Sequence, residues 1–527
     1  MRITNKIIQN NNLANINTNK IYQNELSTQM STQKKINRPS DDPVIAIRAL
    51  RLRSNVTEIT QYYSKNIPDA ESWLEITEDS LNNLTSVITD MISQCTRGAN
   101  GEWTAEDREI ILEQLEALAD EVYVTGDADY AGRFVFTGYR TDTSLRYAEE
   151  QSLRYSITEQ LDKTAIDNMT VIKTKSGATG DDLKDITKVN YEDIDVNAVD
   201  VTSTEVHRIR LAYDNCSDVA PTLQYPVATK AADGTVTLNW ETIPTTVVHD
   251  YVDPSPAEQI QQASENGEET AIFVPETGEL LLSDKAYERL MNLKDDATTE
   301  MYDEGEIRVT YEKVDWVIGD LRPEHYFACT SYPEGGDPIT YNAPYLEGIL
   351  ERQDIEYDVG FNQTIRVNST ADQCFEHGIG RTVDDLVQAL KDVADMEAIK
   401  KELEGLKAVA TVDELPEIES KLETVTKAFD MMKEKSQRMF EAGITTFQGY
   451  LDKANLCITE CGTRSSKLSL VESRMQYQKT TFETLKSENE DIDITEVAIQ
   501  LSSAKLTYEA ALMATGKVTQ TSLLQFI

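Results

Sequence analysis

Both ends of the chain carry helical apolar stripes, and each end breaks at a charged, helix-stopping segment next to a longer stripe. Such a chain must fold its ends against each other or against copies of itself, with the middle as an insertion. Over residues 1–36 a heptad grid places Ile7, Ala14 and Ile21 at one core position and Ile3, Asn10, Asn17 and Asn24 at the other. Asparagine at such positions fixes register and costs stability, and seven of the first nineteen residues are Asn. This helix is expected to be marginal alone and to need partners. Asn37-Arg38-Pro39-Ser40-Asp41-Asp42-Pro43 then ends it. Two prolines forbid a continuous helix, and Asp42 is an N-cap placed directly before a favoured first helical residue. Pro39, Ser40, Asp41, Asp42 and Pro43 are the expected hinge.

The next stripe runs through Leu52, Val56, Ile59, Tyr63, Asn66, Ala70, Trp73, Thr77, Ser80, Leu84, Val87 and Met91, which predicts one helix from about 43 to 94. A shorter helix follows Thr104. Near the C-terminus, Phe440, Ile444, Phe447, Leu451, Ala454, Ile458, Cys461, Leu468, Met475 and Phe482 keep heptad spacing up to an acidic break at Ser487 to Asp493. Ile494, Val497, Leu501, Ala504, Tyr508, Ala511, Thr515 and Val518 then form a cleaner stripe. Ile499, Leu506 and Leu512 add apolar surface elsewhere on this last helix, more than one partner helix could cover. Between the shafts the pattern turns to strands, as in Val206-His207-Arg208-Ile209-Arg210-Leu211, Ile307 to Tyr311 and Ile365 to Val367. Asp233-Gly234 and Pro275 to Gly278 read as hairpin turns. Residues 382–436 return to helix, with caps expected at Thr382 and Thr411/Glu414. The expected fold is multidomain α+β. Residues 1–36 and 494–527 are terminal helices, 43–144 and 382–486 an antiparallel helical shaft, and 145–381 a β-rich insert.

The net charge of −42 argues against nucleic acid or an anionic membrane as a partner for the bulk of the chain. The first 65 residues carry ten Lys and Arg against four Asp and Glu, so this arm is +6 on a body that is −48. That is either a steering device between subunits or a solvated helix face. The opening residues lack the apolar run of a signal peptide, and no window is long and apolar enough to span a membrane. The six cysteines are scattered and suggest no disulfide scaffold.

Site chemistry is sparse. None of the four histidines sits in His-Glu-x-x-His. Cys374 and His377 have ligand spacing, with Cys329 or His325 within reach of the idea, but no second paired motif supports zinc. Cys457 and Cys461 lie four apart on one helix and read as small core residues. Asp181-Asp182 and Asp295-Asp296 read as solvated loops, and Tyr345, Tyr357 and Phe361 as core or as a glycan or protein site. No catalytic residue, cofactor or metal is expected.

Lys34 to Pro43, Ala49-Leu50-Arg51-Leu52-Arg53 and Tyr130 to Gly138 resemble the flagellin superfamily, as do Gly462, Arg464, Leu468 and Glu472 in the returning helix. Ala510 to Thr515 and Ser522-Leu523-Leu524 continue the likeness. The two prolines of the hinge run are nearer the superfamily's hook–filament junction proteins than its filament subunits. Gln33 departs from it, since relatives place Gly before the Lys/Arg-Ile-Asn run. The resemblance implies a non-enzymatic structural subunit, exported unfolded by the flagellar type III apparatus without a cleaved signal. Its terminal helices would be mobile in the free subunit and ordered on assembly. The assembly interface would comprise Ile3, Ile7, Ala14, Ile21, Ile494, Val497, Leu501, Ala504, Tyr508, Ala511, Val518, Leu523 and Leu524. Implied partners are further copies of itself, hook-associated protein 1 on the hook side, flagellin on the filament side and a cytosolic export chaperone at the C-terminal helix. A filament-forming flagellin is the second reading; a displayed enzyme or glycan-binding insert is the third.

Overall fold

The computed structural model describes residues 5–100, 103–176, 182–188, 192, 194, 201–230, 236–291, 307–347 and 353–520. In chain order the helices are α1 (Asn5–Thr32), α2 (Pro43–Gln61), α3 (Ile67–Ala99), α4 (Ala105–Gly126), α5 (Pro256–Glu265), α6 (Asp284–Met291), α7 (Ala371–Cys374), α8 (Gly378–Val409), α9 (Leu415–Glu490) and α10 (Ile494–Gln520). The strands are β1 (Asp129–Tyr130), β2 (Arg133–Phe134), β3 (Gln151–Leu161), β4 (Ile166–Ser176), β5 (Asp182–Asp185), β6 (Thr202–Arg210), β7 (Thr222–Lys230), β8 (Val236–Ile243), β9 (Thr245–Val247), β10 (Ala271–Val274), β11 (Glu279–Leu282), β12 (Ile307–Trp316), β13 (Ala328–Tyr332), β14 (Ile339–Tyr341), β15 (Glu356–Gly360) and β16 (Gln363–Arg366). The fold is α+β, with long helices from both ends of the chain and a β-rich middle. It divides into two compact units. One is residues 1–71, 357–365 and 465–527; the other is 72–356 and 366–464.

In the first unit α1 packs against α10, and α2 begins where the sequence places it. Asp42 caps it, its side chain accepting from the amides of Val44 (2.8 Å) and Ile45 (3.1 Å). The helix expected from 43 to 94 is interrupted. A π-helical turn at Tyr62–Asn66 separates α2 from α3. The cause is Pro68, which has no amide to donate and whose ring crowds the carbonyl one turn back. The Asn66 side-chain amide donates to the carbonyl of Asp358 at 2.7 Å on the β15–β16 hairpin, and Tyr62 meets Phe361 edge-on at 5.8 Å.

The second unit contains a four-helix bundle of α3, α4, α8 and the first part of α9. Trp73, Leu74, Leu81, Leu84, Ile88, Met91 and Cys95 bury the inner face of α3, and Phe440, Phe447 and Ala454 that of α9. These two helices run antiparallel. A Cβ on Gly98 would collide with the Phe440 ring, and far along the pair the Cys461 thiol donates to Leu74 O (3.4 Å). Thr104 and Asp107 form a capping box at α4. The cap expected at Thr382 is absent. α8 starts at Gly378, and the Thr382 hydroxyl bonds back to its carbonyl at 2.8 Å from inside the helix. Thr411 and Glu414 do bond to each other, at 3.0 and 2.8 Å, just ahead of α9.

The middle of the chain weaves two six-stranded sheets, ordered β5-β4-β6-β11-β10-β9 and β14-β13-β3-β12-β7-β8. β6 and β12 carry the first two strand runs read from sequence, and Pro275 to Gly278 is the turn between β10 and β11. Gly278 (φ 64°) is required there, because a Cβ would run into the carbonyl of Tyr213. The Asp233-Gly234 turn and the Asp181 and Asp295-Asp296 loops lie outside the described residues. Arg208 on β6 ties its sheet to α8. Its guanidinium donates to Asp167 (2.9 and 2.8 Å), Glu279 (2.6 Å) and Asp385 (3.2 and 3.0 Å).

His377 and His325 are half-buried in this unit. His377 packs edge-on against Phe327 at 5.0 Å, and the His325 ring faces the carbonyl of Ser144 at 3.3 Å. Burial pushes both imidazoles down to about 4. A histidine held neutral in the fold takes up its proton on unfolding, so stability should fall as pH drops from about 6.5 toward 4. Urea titrations across that range should show a falling midpoint, and His377→Phe should flatten the slope.

Candidate assembly surface

The site begins at a clasp between the two hinge segments. Gln33 closes α1 in the left-handed region (φ 57°), its amide bonding to Gln29 O at 2.7 Å. The chain then runs beside the end of α9. Lys34 forms an antiparallel bridge with Asp491, the Lys35 amide donates to Glu490 O at 2.7 Å, and that of Ile492 donates to Gln33 O at 3.2 Å. Side chains reinforce this. Arg53 grips Glu490 with two bonds of 2.7 Å, and Lys34 reaches Asp491 (2.5 Å) and Glu490 (3.5 Å). Glu490 is only 3% exposed. Its hydrogen bonds from Arg53 hold its carboxyl below the usual range, and the bond from Lys34 does the same to Asp491. Asp41 accepts from the amides of Arg38 (2.8 Å) and Asn37 (3.2 Å), and Asp493 caps α10 through the amides of Thr495 (2.9 Å) and Glu496 (3.2 Å). Pro39, Ser40, Asp41 and Asp42 thus form a capped turn leading into Pro43, the first residue of α2.

At position 33 the structure uses a conformation that glycine adopts freely and glutamine does not. Gln33→Gly should stabilise the clasp by up to about 1 kcal/mol, part of it offset by greater freedom in the unfolded chain. Slower amide exchange at Lys35 and Ile492, by up to about five-fold, would register this.

From the clasp α1 and α10 run antiparallel. The seam buries Leu26 against Val497 and Ala504, with Ile492 and Leu501 packed beside them. Tyr508 and Ala511 continue it half-buried. On α1, Asn12, Ile16, Asn19, Gln23 and Gln29 are half-buried. This corrects the grid drawn from sequence. Ile7, Ala14 and Ile21 do not enter the seam; they point away from it, and Ile7 is 50% and Ile21 69% exposed. Asn10, Asn17 and Asn24 are exposed too. Within the subunit the internal row of α1 is the one that ends at Leu26. Ile3, Leu523 and Leu524 lie outside the described residues; Val518 falls within α10, and its side chain is not described.

The back of α10 carries its own row. Ile499, Leu506 and Met513 recur every seven residues and are 66%, 68% and 66% exposed; Leu506 and Met513 face away from the seam, and Ile499 borders the groove beside it. Ile494 is exposed as well. A shallow groove of about 370 Å³ opens between the helices, lined by Asn19, Tyr22, Ile499 and Thr507 among others. The α1–α10 pair is therefore a two-helix ribbon with a thin seam, apolar on the α10 side and largely polar on the α1 side, and apolar residues on both backs. The sequence signals at 499 and 506 were visible; Met513 and the clasp were not. Among the described residues no three His, Cys, Asp or Glu side chains converge as a metal site.

The profile of the bacterial flagellin N-terminal helical region matches residues 3–141. Flagellar hook-associated protein 3 of Salmonella typhimurium is 27% identical over 145 residues, 27% of this chain and 45% of that protein. The protein of the same name from Escherichia coli is 27% identical over 239 residues, 44% of this chain and 70% of that one. The matched stretch thus spans less than half of the Salmonella relative. A flagellin of Clostridium tyrobutyricum is 27% identical over 122 residues, 23% of this chain and 32% of that one. The flagellar hook-associated protein 3 of Legionella pneumophila superposes on 83% of this chain and 97% of its own at 10% identity, with a TM-score of 0.28, too loose a likeness to bear on function. Residues 3–141 thus match the bacterial flagellin N-terminal helical region, and the chain resembles flagellar hook-associated protein 3.

Proposed function

We propose that this chain is a structural, non-enzymatic subunit that joins hook to filament in a bacterial flagellum. The observation that carries the reading is the pair of apolar heptad rows exposed on α1 and α10, in a chain whose relatives are hook-associated. Fully burying an Ile, Leu or Met side chain is worth about 1.5–3 kcal/mol. Three such residues on α10 alone supply several kcal/mol toward ordering the ribbon, provided neighbouring copies cover them. With one back set against the other, as the resemblance implies, the contact is head-to-tail and propagates rather than closing as a dimer. One end of the resulting layer would meet hook-associated protein 1 and the other flagellin. Before assembly the same back of α10 would be covered by a cytosolic chaperone, and the chain would leave through the flagellar type III apparatus.

Deleting the gene tests this. A junction subunit's loss leaves hooks that shed soluble flagellin into the medium. The likeness to the Clostridium flagellin keeps a filament subunit as the second reading. In that case deletion leaves bare hooks and no secreted monomer.

A further inference from the structure

We propose that Cys374 and Cys457 are a disulfide-forming pair that locks α7 to α9. Spacing along the chain suggests Cys457 with Cys461, but the fold separates those two in function. Side chains four apart on a helix have Cβ atoms about 5–6 Å apart, beyond the roughly 3.5–4.5 Å that a disulfide needs. Cys461 is turned to α3, donating to Leu74 O at 3.4 Å. Cys457 is turned to α7, where its thiol lies 3.3 Å from the carbonyl of Gln373, the residue bonded to Cys374. Cys374 is the next residue along from that carbonyl, and its side chain is close enough to Cys457 for each thiol to shift the other's titration. Both are buried, at 3% and 8% exposed. Cys95 and Cys329 are buried on other elements, and Cys216 bonds its own loop at Tyr213 O, 3.4 Å away.

The pair is also asymmetric. The neighbouring Cys374 thiol, helped by the nearby Arg464 guanidinium, holds Cys457 below the ordinary thiol range, while the Cys457 thiol and burial raise Cys374. Cys457 attacks once it has lost to solvent the proton it donates to the Gln373 carbonyl. With a small disulfide such as oxidised glutathione, the Cys457 thiolate displaces one glutathione thiolate and forms a mixed disulfide. Cys374 gives up its proton and attacks the Cys457 sulfur, releasing the second glutathione. Two protein thiols become one disulfide, and one oxidised glutathione becomes two reduced molecules.

The test uses the full chain, both folded and refolded from urea, in reduced or oxidised glutathione, with free thiols then alkylated and counted. The expected result is six free thiols in reduced buffer and four in oxidised buffer. Cys374 would be joined to Cys457 in the digest, assigned without ambiguity in a Cys461→Ser background. The oxidised protein should also unfold at higher urea than the reduced one, a difference that Cys374→Ser abolishes. Six thiols persisting after refolding in oxidised glutathione would overturn the proposal. So would a bond from Cys457 to Cys461, or one that survives in Cys374→Ser.

Discussion

Leu506→Glu should leave the free subunit folded and exported yet fail to restore filaments to a deletion strain. Leu506 lies at the centre of the back row of α10 and touches nothing that holds the α1–α10 seam, so far-UV circular dichroism and urea midpoint should match the parent. In the assembled state the substitution removes about 2 kcal/mol of apolar burial and sets a carboxylate against an apolar neighbour, costing a further few kcal/mol. A total near 4 kcal/mol is about a thousand-fold in association. The variant should accumulate in the medium, and filaments per cell should drop to near zero. A seam substitution of the same kind, Ala504→Glu, should differ in kind, disturbing the monomer's helices as well.

Glu490→Ala should loosen the clasp without touching either apolar row. Breaking a fully buried ion pair costs about 3–5 kcal/mol, and an exposed one under about 1. Glu490 is buried, but Arg53 is 55% and Lys34 39% exposed, so both cations regain water when their partner is lost. An intermediate cost of about 2 kcal/mol follows, roughly thirty-fold faster amide exchange at Lys35 and Ile492. Acid should do the same. Glu490 and Asp491 both titrate below their ordinary values, so their contribution is complete above about pH 4.5 and disappears as pH falls through the lowered values. In Glu490→Ala that acid response should shrink.

These two sites mark what was legible in the sequence. The helix break before Pro43 could be read because proline and Asp N-caps act locally, and Asp42 behaves as its neighbours dictate. The α10 stripe through Val497, Leu501, Ala504 and Tyr508 was legible because helical period reports which residues share a face. Which face meets which partner is not encoded in the period, and within the subunit the seam on α1 is not the row that the heptad grid picks out. Ile7, Ala14 and Ile21 share a face, but the seam takes the row of Asn12, Ile16, Asn19 and Gln23. Pro68 was a readable signal that the long stripe masked. The clasp was out of reach, since Lys34 and Arg53 meet Glu490 across more than 430 residues of chain. Interleaving of the two sheets was equally hidden, because strands β3 to β14 are individually regular and their pairing order is set by tertiary packing.

The central claim is that the terminal ribbon is held thinly by its own seam and completed by neighbouring copies. Hydrogen exchange along α1 and α10, measured on the dilute full-length chain and on the same chain within isolated hook–filament junctions, tests it directly. The account predicts amides of both helices that exchange readily in the dilute chain and are at least a hundred-fold better protected in the junction, with the bundle helices α3 and α8 little changed. Equal protection of α1 and α10 in both states would contradict it.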